Sequence, residues 1–268
     1  MARSVTDAGT ATGAVRITTP VPGVARIVID QPPLNVLTQS VRRELGDAWL
    51  GLQAQREVRC VVFGSAAAFC AGADLKEFAQ RFDPVVAAQH ADNAQRMILA
   101  LVELDIPVVA AVRGFCLGGG LELALGCTNR IASRSARLGL PEIDRGVWPG
   151  TGGTLLLDRL VGPATTKRLV YGGQPLTAEQ ALARGLIDEV VDDTELDARA
   201  IDLATAYAAK PGASIRTMTQ LCDRDFRLRF REHLRFERQR FVEAYQTHDA
   251  REGYRAFFDK RLPVWKHR

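Results

Sequence analysis

The chain has 268 residues, of which 47% are hydrophobic and 25% charged, with a formal net charge of +4. That length holds one substantial core with a small appendage, and the composition excludes a disordered or low-complexity chain. The charge is too mildly basic to argue for nucleic acid; it suits an anionic, phosphate-bearing small molecule.

Met1 to Val15 is rich in Ala, Thr and Gly and lacks an apolar stretch. It reads as a flexible arm rather than a secretory or transit signal. Val24 to Asp30 is β-branched and bounded by Gly23 and Pro32-Pro33, which predicts a strand. Leu37 to Gln53 carries Val41, Leu45, Trp49 and Leu52 at helical spacing, with Thr38 as its cap. Cys60 to Phe63 and Pro107 to Val112 are short apolar runs without alternation, as expected of strands covered on both faces. Pro84 to Leu104 between them reads as a helix. The rhythm predicts an α/β core with a parallel sheet and crossover helices.

After Gly150 helical patterns dominate: Thr154 to Leu160, Pro163 to Tyr171, Ala178 to Arg184, Leu196 to Ala209, and about Phe226 to Gln246. The division expected is an arm over 1–15, a core over 16–200 and a helical C-terminal region over 201–268. The basic run Arg227 to His233 reads as the solvated or subunit-facing side of an amphipathic helix. No apolar run is long enough to span a membrane. Five scattered cysteines (60, 70, 116, 127 and 222) form no CxxC pair, and the four histidines join them in no ligand spacing. This argues against a disulfide framework or metal site, and for free thiols in a reducing compartment.

Two small-residue turns follow predicted strands: Phe69 to Lys76, and Gly114 to Ala124 with its triple glycine. Such turns leave backbone N–H groups unpaired, and a following helix adds its positive dipole end. One turn alone suits phosphate binding or tight helix packing equally well. Two converging on one point would form an oxyanion hole for an enolising carbonyl. Neither carries the phosphate-loop Lys-Ser/Thr.

Two carboxylates stand beside such features. Glu122 follows the triple glycine in an apolar context, where the helix start favours its ionisation and burial opposes it, a competition that can tune a general base. Glu142 follows Pro141, itself suited to the first position of a short helix, and could simply partner that helix's dipole.

With Pro33 to Leu37, Pro149 to Gly153, Leu176 to Ala181 and Gly185 to Asp188 added, the chain resembles the enoyl-CoA hydratase/isomerase (crotonase) family from about Ala25 to Lys266. The resemblance implies a ββα spiral core and a helical trimerisation region, hence a homotrimer or a hexamer. It implies that the N–H groups of Ala73 and Gly119 form the oxyanion hole, and that Glu122 and Glu142 are the catalytic acid–base pair. Ala73, Asp74, Leu75, Lys76 and Gly119 would line the acyl-CoA site, with Leu34 and Val36 near the CoA. Residues 77–96 would build part of the acyl pocket. CoA would be the substrate carrier, with no other cofactor and no metal, in a cytoplasmic enzyme without nucleic-acid or membrane partners.

Keeping both glutamates points to hydration of a 2-enoyl thioester. Isomerisation, or hydration and cleavage of an aromatic enoyl thioester, is the alternative; a non-catalytic acyl-CoA- or RNA-binding relative ranks below both. Gly150 stands where dienoyl isomerases of the family place a further carboxylate. Asp144, two residues past Glu142, points away from it on a short helix and is assigned a structural role. Trp265 and Lys266 could reach a CoA site, a neighbouring subunit, or simply dock the tail.

Overall fold

The computed structural model describes residues 13–268. Most of the expected arm falls outside that range, and Val15, its last residue, already opens a strand. Nine strands occur in the described residues: β1 (Val15–Val21), β2 (Val24–Ile29), β3 (Cys60–Ser65), β4 (Val108–Val112), β5 (Phe115–Leu117), β6 (Asn129–Ser133), β7 (Arg137–Gly139), β8 (Leu176–Thr177) and β9 (Glu189–Val191). The helices are α1 (Gln39–Ala54), α2 (Pro84–Val102), α3 (Gly119–Gly126), α4 (Gly153–Gly172), α5 (Ala178–Leu182), α6 (Leu196–Ala208), α7 (Gly212–Ala244) and α8 (His248–Phe258). Two 3-10 segments, Leu75–Phe82 and Pro141–Arg145, complete the set.

The main sheet has the order β1-β2-β3-β4-β6-β9. Only β1 and β2 pair antiparallel, as a hairpin through Gly23; the other neighbours are parallel. A second, three-stranded sheet has the order β5-β7-β8.

The central strands explain their own lack of alternation. In β3, Val61 and Phe63 face α1 and α2, packing with Leu45, Trp49, Met97 and Ile98. Cys60 and Val62 face the opposite way, onto Leu196, Ala200 and Ala204 of α6. β4 repeats the pattern, with Ala110 and Val112 on one side and Val109 and Ala111 on the other. Both faces are therefore apolar, as a parallel sheet between helices requires. Each fully buried Val, Leu, Ile or Phe contributes roughly 1.5–3 kcal/mol.

Local signals set the helix ends. The Thr38 side chain accepts from Val41 N at the start of α1, and Asp83 caps α2 with Pro84 at its first position. The two helices expected over 154–160 and 163–171 are both present: α4 consists of two helical pieces separated at Gly162, whose φ of 74° and ψ of 166° are not helical, with Pro163 opening the second. The last long helix begins at Gly212 rather than near Phe226. The core boundary expected at 200 falls inside α6. Within the basic run Arg227 and Arg231 pair with Asp105 and Glu103, and farther along α7 Arg238 pairs with Asp92.

Candidate active site

The main chain builds the site from three segments laced together. Cys70 and Cys116 form a parallel bridge, closed by Cys70 N to Phe115 O (2.9 Å) and Leu117 N to Cys70 O (3.0 Å). Leu37 and Ala73 form a second one, with Leu37 N to Gly72 O at 2.8 Å and Asp74 N to Leu37 O at 3.3 Å. Trp49, Phe63 and Phe69 stack edge to face, with centroids 5.2 and 5.1 Å apart, and tie the first turn to the core.

Two glycines are dictated by this lacing. Gly72 has φ +96°, and a Cβ on it would sit 2.8 Å from Leu117 O. A Cβ on Gly120 would stand 2.1 Å from Cys70 O, so the start of α3 abuts the neighbouring main chain. No side chain larger than hydrogen fits either place without moving backbone. The second turn differs from expectation in detail: Phe115–Leu117 is itself strand β5, and the first turn leads into 3-10 rather than α-helix.

Ala73, Gly119, Glu122 and Glu142 all line one inner cavity, together with Leu37, Val147, Trp148, Gly150 and Thr151. The N–H groups of Ala73 and Gly119 donate to no acceptor among the described residues. Leu34, Val36, Ala73, Asp74, Leu75 and Lys76 line an outer groove with Phe115, Arg145, Phe257 and Phe258. Ala73 belongs to both, so groove and cavity meet at this residue.

Glu122, on the first turn of α3, is only 3% exposed. Its Oε1 accepts from Thr151 N and Gly153 N, both at 2.8 Å, at the start of α4. Burial first, and then the nearby Glu237, push its carboxyl up to about 7, against the pull of those N–H groups. Glu142 sits on the 3-10 segment with Oε2 shut away from solvent and without a protein partner. Burial and then Glu122 push its carboxyl up to about 8. The two carboxyls thus resist ionising together, so that one can hold a proton while the other is charged.

Glu237, on α7, completes the buried acidic group and was missed in the sequence. Its Oε1 accepts from Gly152 N at 2.8 Å, between the two N–H groups that serve Glu122, and its Oε2 lies 3.5 Å from His233 Nε2. Burial raises its carboxyl as well, and His233 counters. The signal was present: Phe230, Leu234, Glu237 and Phe241 recur at helical spacing, which puts Glu237 on the buried stripe of α7.

Asp144 is not part of the cavity. It is exposed and stands against Gly173 beside a separate surface depression. Trp265 and Lys266 line neither cavity nor groove. The tail docks on α8 instead, with Lys266 N and His267 N both donating to Asp249 at 2.7 Å. A Cβ on Gly150 would lie 2.6 Å from Phe241 Cδ2, so no carboxylate-bearing residue fits there with the ring as placed.

The family model described as enoyl-CoA hydratase/isomerase matches residues 21–268. The chain belongs to that family. Among its relatives, a probable enoyl-CoA hydratase of Bacillus subtilis is 35% identical over 245 residues, covering 91% of this chain and 95% of that protein. The short-chain-enoyl-CoA hydratase of Clostridium acetobutylicum is 34% identical over 241 residues, covering 89% and 92%. The crystal structure of an enoyl-CoA hydratase from Mycobacterium avium subsp. paratuberculosis superposes with a TM-score of 0.85 at 25% identity, over 96% of this chain and all of that one. The architecture is therefore the crotonase fold, with α7 as the principal element of its helical C-terminal region. As a family member the chain is an enzyme. No helix among the described residues is long and apolar enough to cross a membrane.

Proposed function

We propose that the enzyme adds water across the double bond of a 2-enoyl-CoA thioester to give a 3-hydroxyacyl-CoA. One observation carries this reading: two carboxyls that burial makes reluctant to ionise share a cavity with two unpaired backbone N–H groups. The CoA would lie in the outer groove, where Lys76 and Arg145 offer cations to its phosphates and the exposed Leu34, Phe257 and Phe258 offer apolar surface. The thioester carbonyl would reach Ala73, at the junction, and accept from the N–H groups of Ala73 and Gly119.

A water held between the glutamates would give one proton to the Glu122 carboxylate as its oxygen attacks C3. The π electrons move through C2 to the thioester oxygen, and the resulting enolate is held by the two N–H groups. Protonation of C2 by the Glu142 carboxyl collapses the enolate. The proton taken up by Glu122 then passes to Glu142, which resets both groups, so that one water supplies both OH and H overall. CoA acts as carrier, no further cofactor takes part, and the same reading carries a cytoplasmic homotrimer, alone or paired into a hexamer.

The test is mass analysis of crotonyl-CoA incubated with the enzyme and with Glu122→Gln. Gain of one water by the wild type, absent in the variant, supports the reading. A product of unchanged mass and shifted double bond replaces it with isomerisation. Cleavage of an aromatic enoyl thioester into two products replaces it with a hydratase-lyase.

A further inference from the structure

We propose that the acyl chain handled here ends in a carboxylate, received by Arg42 and Arg81 in the inner cavity. The proposal rests on the acyl-CoA reading above and narrows its substrate class.

Arg42 is 5% exposed and Arg81 is 3% exposed, and both line the cavity that holds Glu122 and Glu142. An apolar acyl tail gives such groups nothing, and burying a guanidinium is costly unless it is paired. Among the described residues, one carboxylate stands near both. Glu77 Oε2 stands 3.7 Å from Arg42 Nη1 and 4.0 Å from Arg81 Nη2, beyond hydrogen-bond distance from either. Arg42 Nη1 and Arg81 Nη2 have no protein acceptor among the described residues. Glu122 and Glu142 make no ion pair with them.

The neighbours add donors rather than acceptors. His90 Nδ1 accepts from Arg81 Nε at 3.0 Å, which leaves the other ring nitrogen to carry the hydrogen. Burial and the two guanidiniums keep that imidazole neutral, its pKa pulled down to about 3. The Tyr245 hydroxyl accepts from Arg81 Nη1 at 3.0 Å and so keeps its own hydrogen to donate. This part of the cavity therefore holds a net positive charge and several free N–H and O–H groups. A carboxylate, which only accepts and carries one negative charge, matches both properties. A neutral hydroxyl or phenol matches the donors and leaves the charge.

The experiment measures binding of saturated acyl-CoAs, which the enzyme cannot hydrate, by titration calorimetry. A series with terminal carboxylates, from 3-carboxypropanoyl-CoA to 5-carboxypentanoyl-CoA, is compared with the corresponding methyl esters and straight-chain acyl-CoAs. At least one carboxylate should bind about ten- to hundredfold tighter than its ester, as a charge-assisted hydrogen-bonded pair gives. Arg81→Met and Arg42→Met should remove most of that ratio, whereas Arg42→Lys should keep part of it. Because the ratio is taken within one protein, a poorly folded variant lowers both affinities without mimicking the effect, and the wild-type comparison needs no variant. Equal binding of every carboxylate and its ester would overturn the proposal, as would a preference for 4-hydroxyphenyl acyl chains over carboxylates. Failure to hydrate any enoyl-CoA, with the carboxylate preference intact, would instead remove hydration and leave the acyl specificity standing.

Discussion

Replacing Glu122 with Gln should slow the enzyme and stabilise it at the same time. The amide oxygen can still accept from Thr151 N and Gly153 N, so the loop that opens α4 keeps its anchor. The amide cannot take a proton from water, and loss of a positioned general base costs about two to four decades in rate. Stability moves the other way. A Glu122 carboxyl raised in the fold from 4.5 to about 7 favours folding fully below about 4.5, and that advantage is lost as pH rises through about 7. Ionising it at pH 8 therefore costs the fold about 3 kcal/mol at most, which the Gln variant avoids. Wild type and variant should melt together at pH 4 and separate at pH 8, the variant higher by roughly 5–10 °C. Turnover is followed by loss of the enoyl thioester absorbance, and stability by thermal melts at both pH values. A variant within tenfold of wild-type turnover refutes the role given to Glu122. Equal melting at pH 8 refutes the conflict between burial and charge.

The pH dependence of crotonyl-CoA turnover should be bell-shaped, rising with the first and falling with the second ionisation of the Glu122–Glu142 pair, at about 7 and about 8. A flat profile from pH 6 to 9 would contradict that assignment. Gly150→Ala should lower stability by about 1–3 kcal/mol, because its Cβ meets the Phe241 ring at 2.6 Å; urea midpoints measure it, with Phe241→Leu as the relieving second change. Unchanged midpoints for the single variant would mean that the ring moves freely. Four cysteines are buried and Cys222 is exposed, so a thiol reagent should label one site in the native protein and five after unfolding. Burial holds the thiols of Cys60, Cys70 and Cys127 up at about 12; fast labelling of any of them would show that the core opens.

The sequence was most legible where one signal acts alone. Thr38, Asp83 and Pro84 mark their helices because capping is local. The central strands were visible as unbroken apolar runs. β5, β7 and β8 were not, since two or three residues show no period and their pairing depends on distant partners. β1 was lost for another reason: five of its seven residues are exposed, so little apolar patterning remains. The site was read through glycines and glutamates next to turns. Glu237, Arg42 and Arg81 escaped because a charged residue on a helix ordinarily faces water, and only their spacing from Leu234, Leu45 and Phe78 sets them on the buried side.

The bridges that join Cys70 to Cys116 and Leu37 to Ala73 have a consequence for how this site can change. They fix the distance between the two candidate oxyanion donors by sheet register, so those donors belong to the main chain and have no codon of their own. Ordinary mutagenesis can distort them but cannot delete them. An amide-to-ester replacement at position 73, made by semisynthesis, would remove one N–H while leaving every side chain in place. By the same logic, with Gly72 and Gly120 held fixed by the close main chain, side chains of the cavity wall are free to diverge, and new acyl specificities can be reached there without disturbing the electrophilic centre.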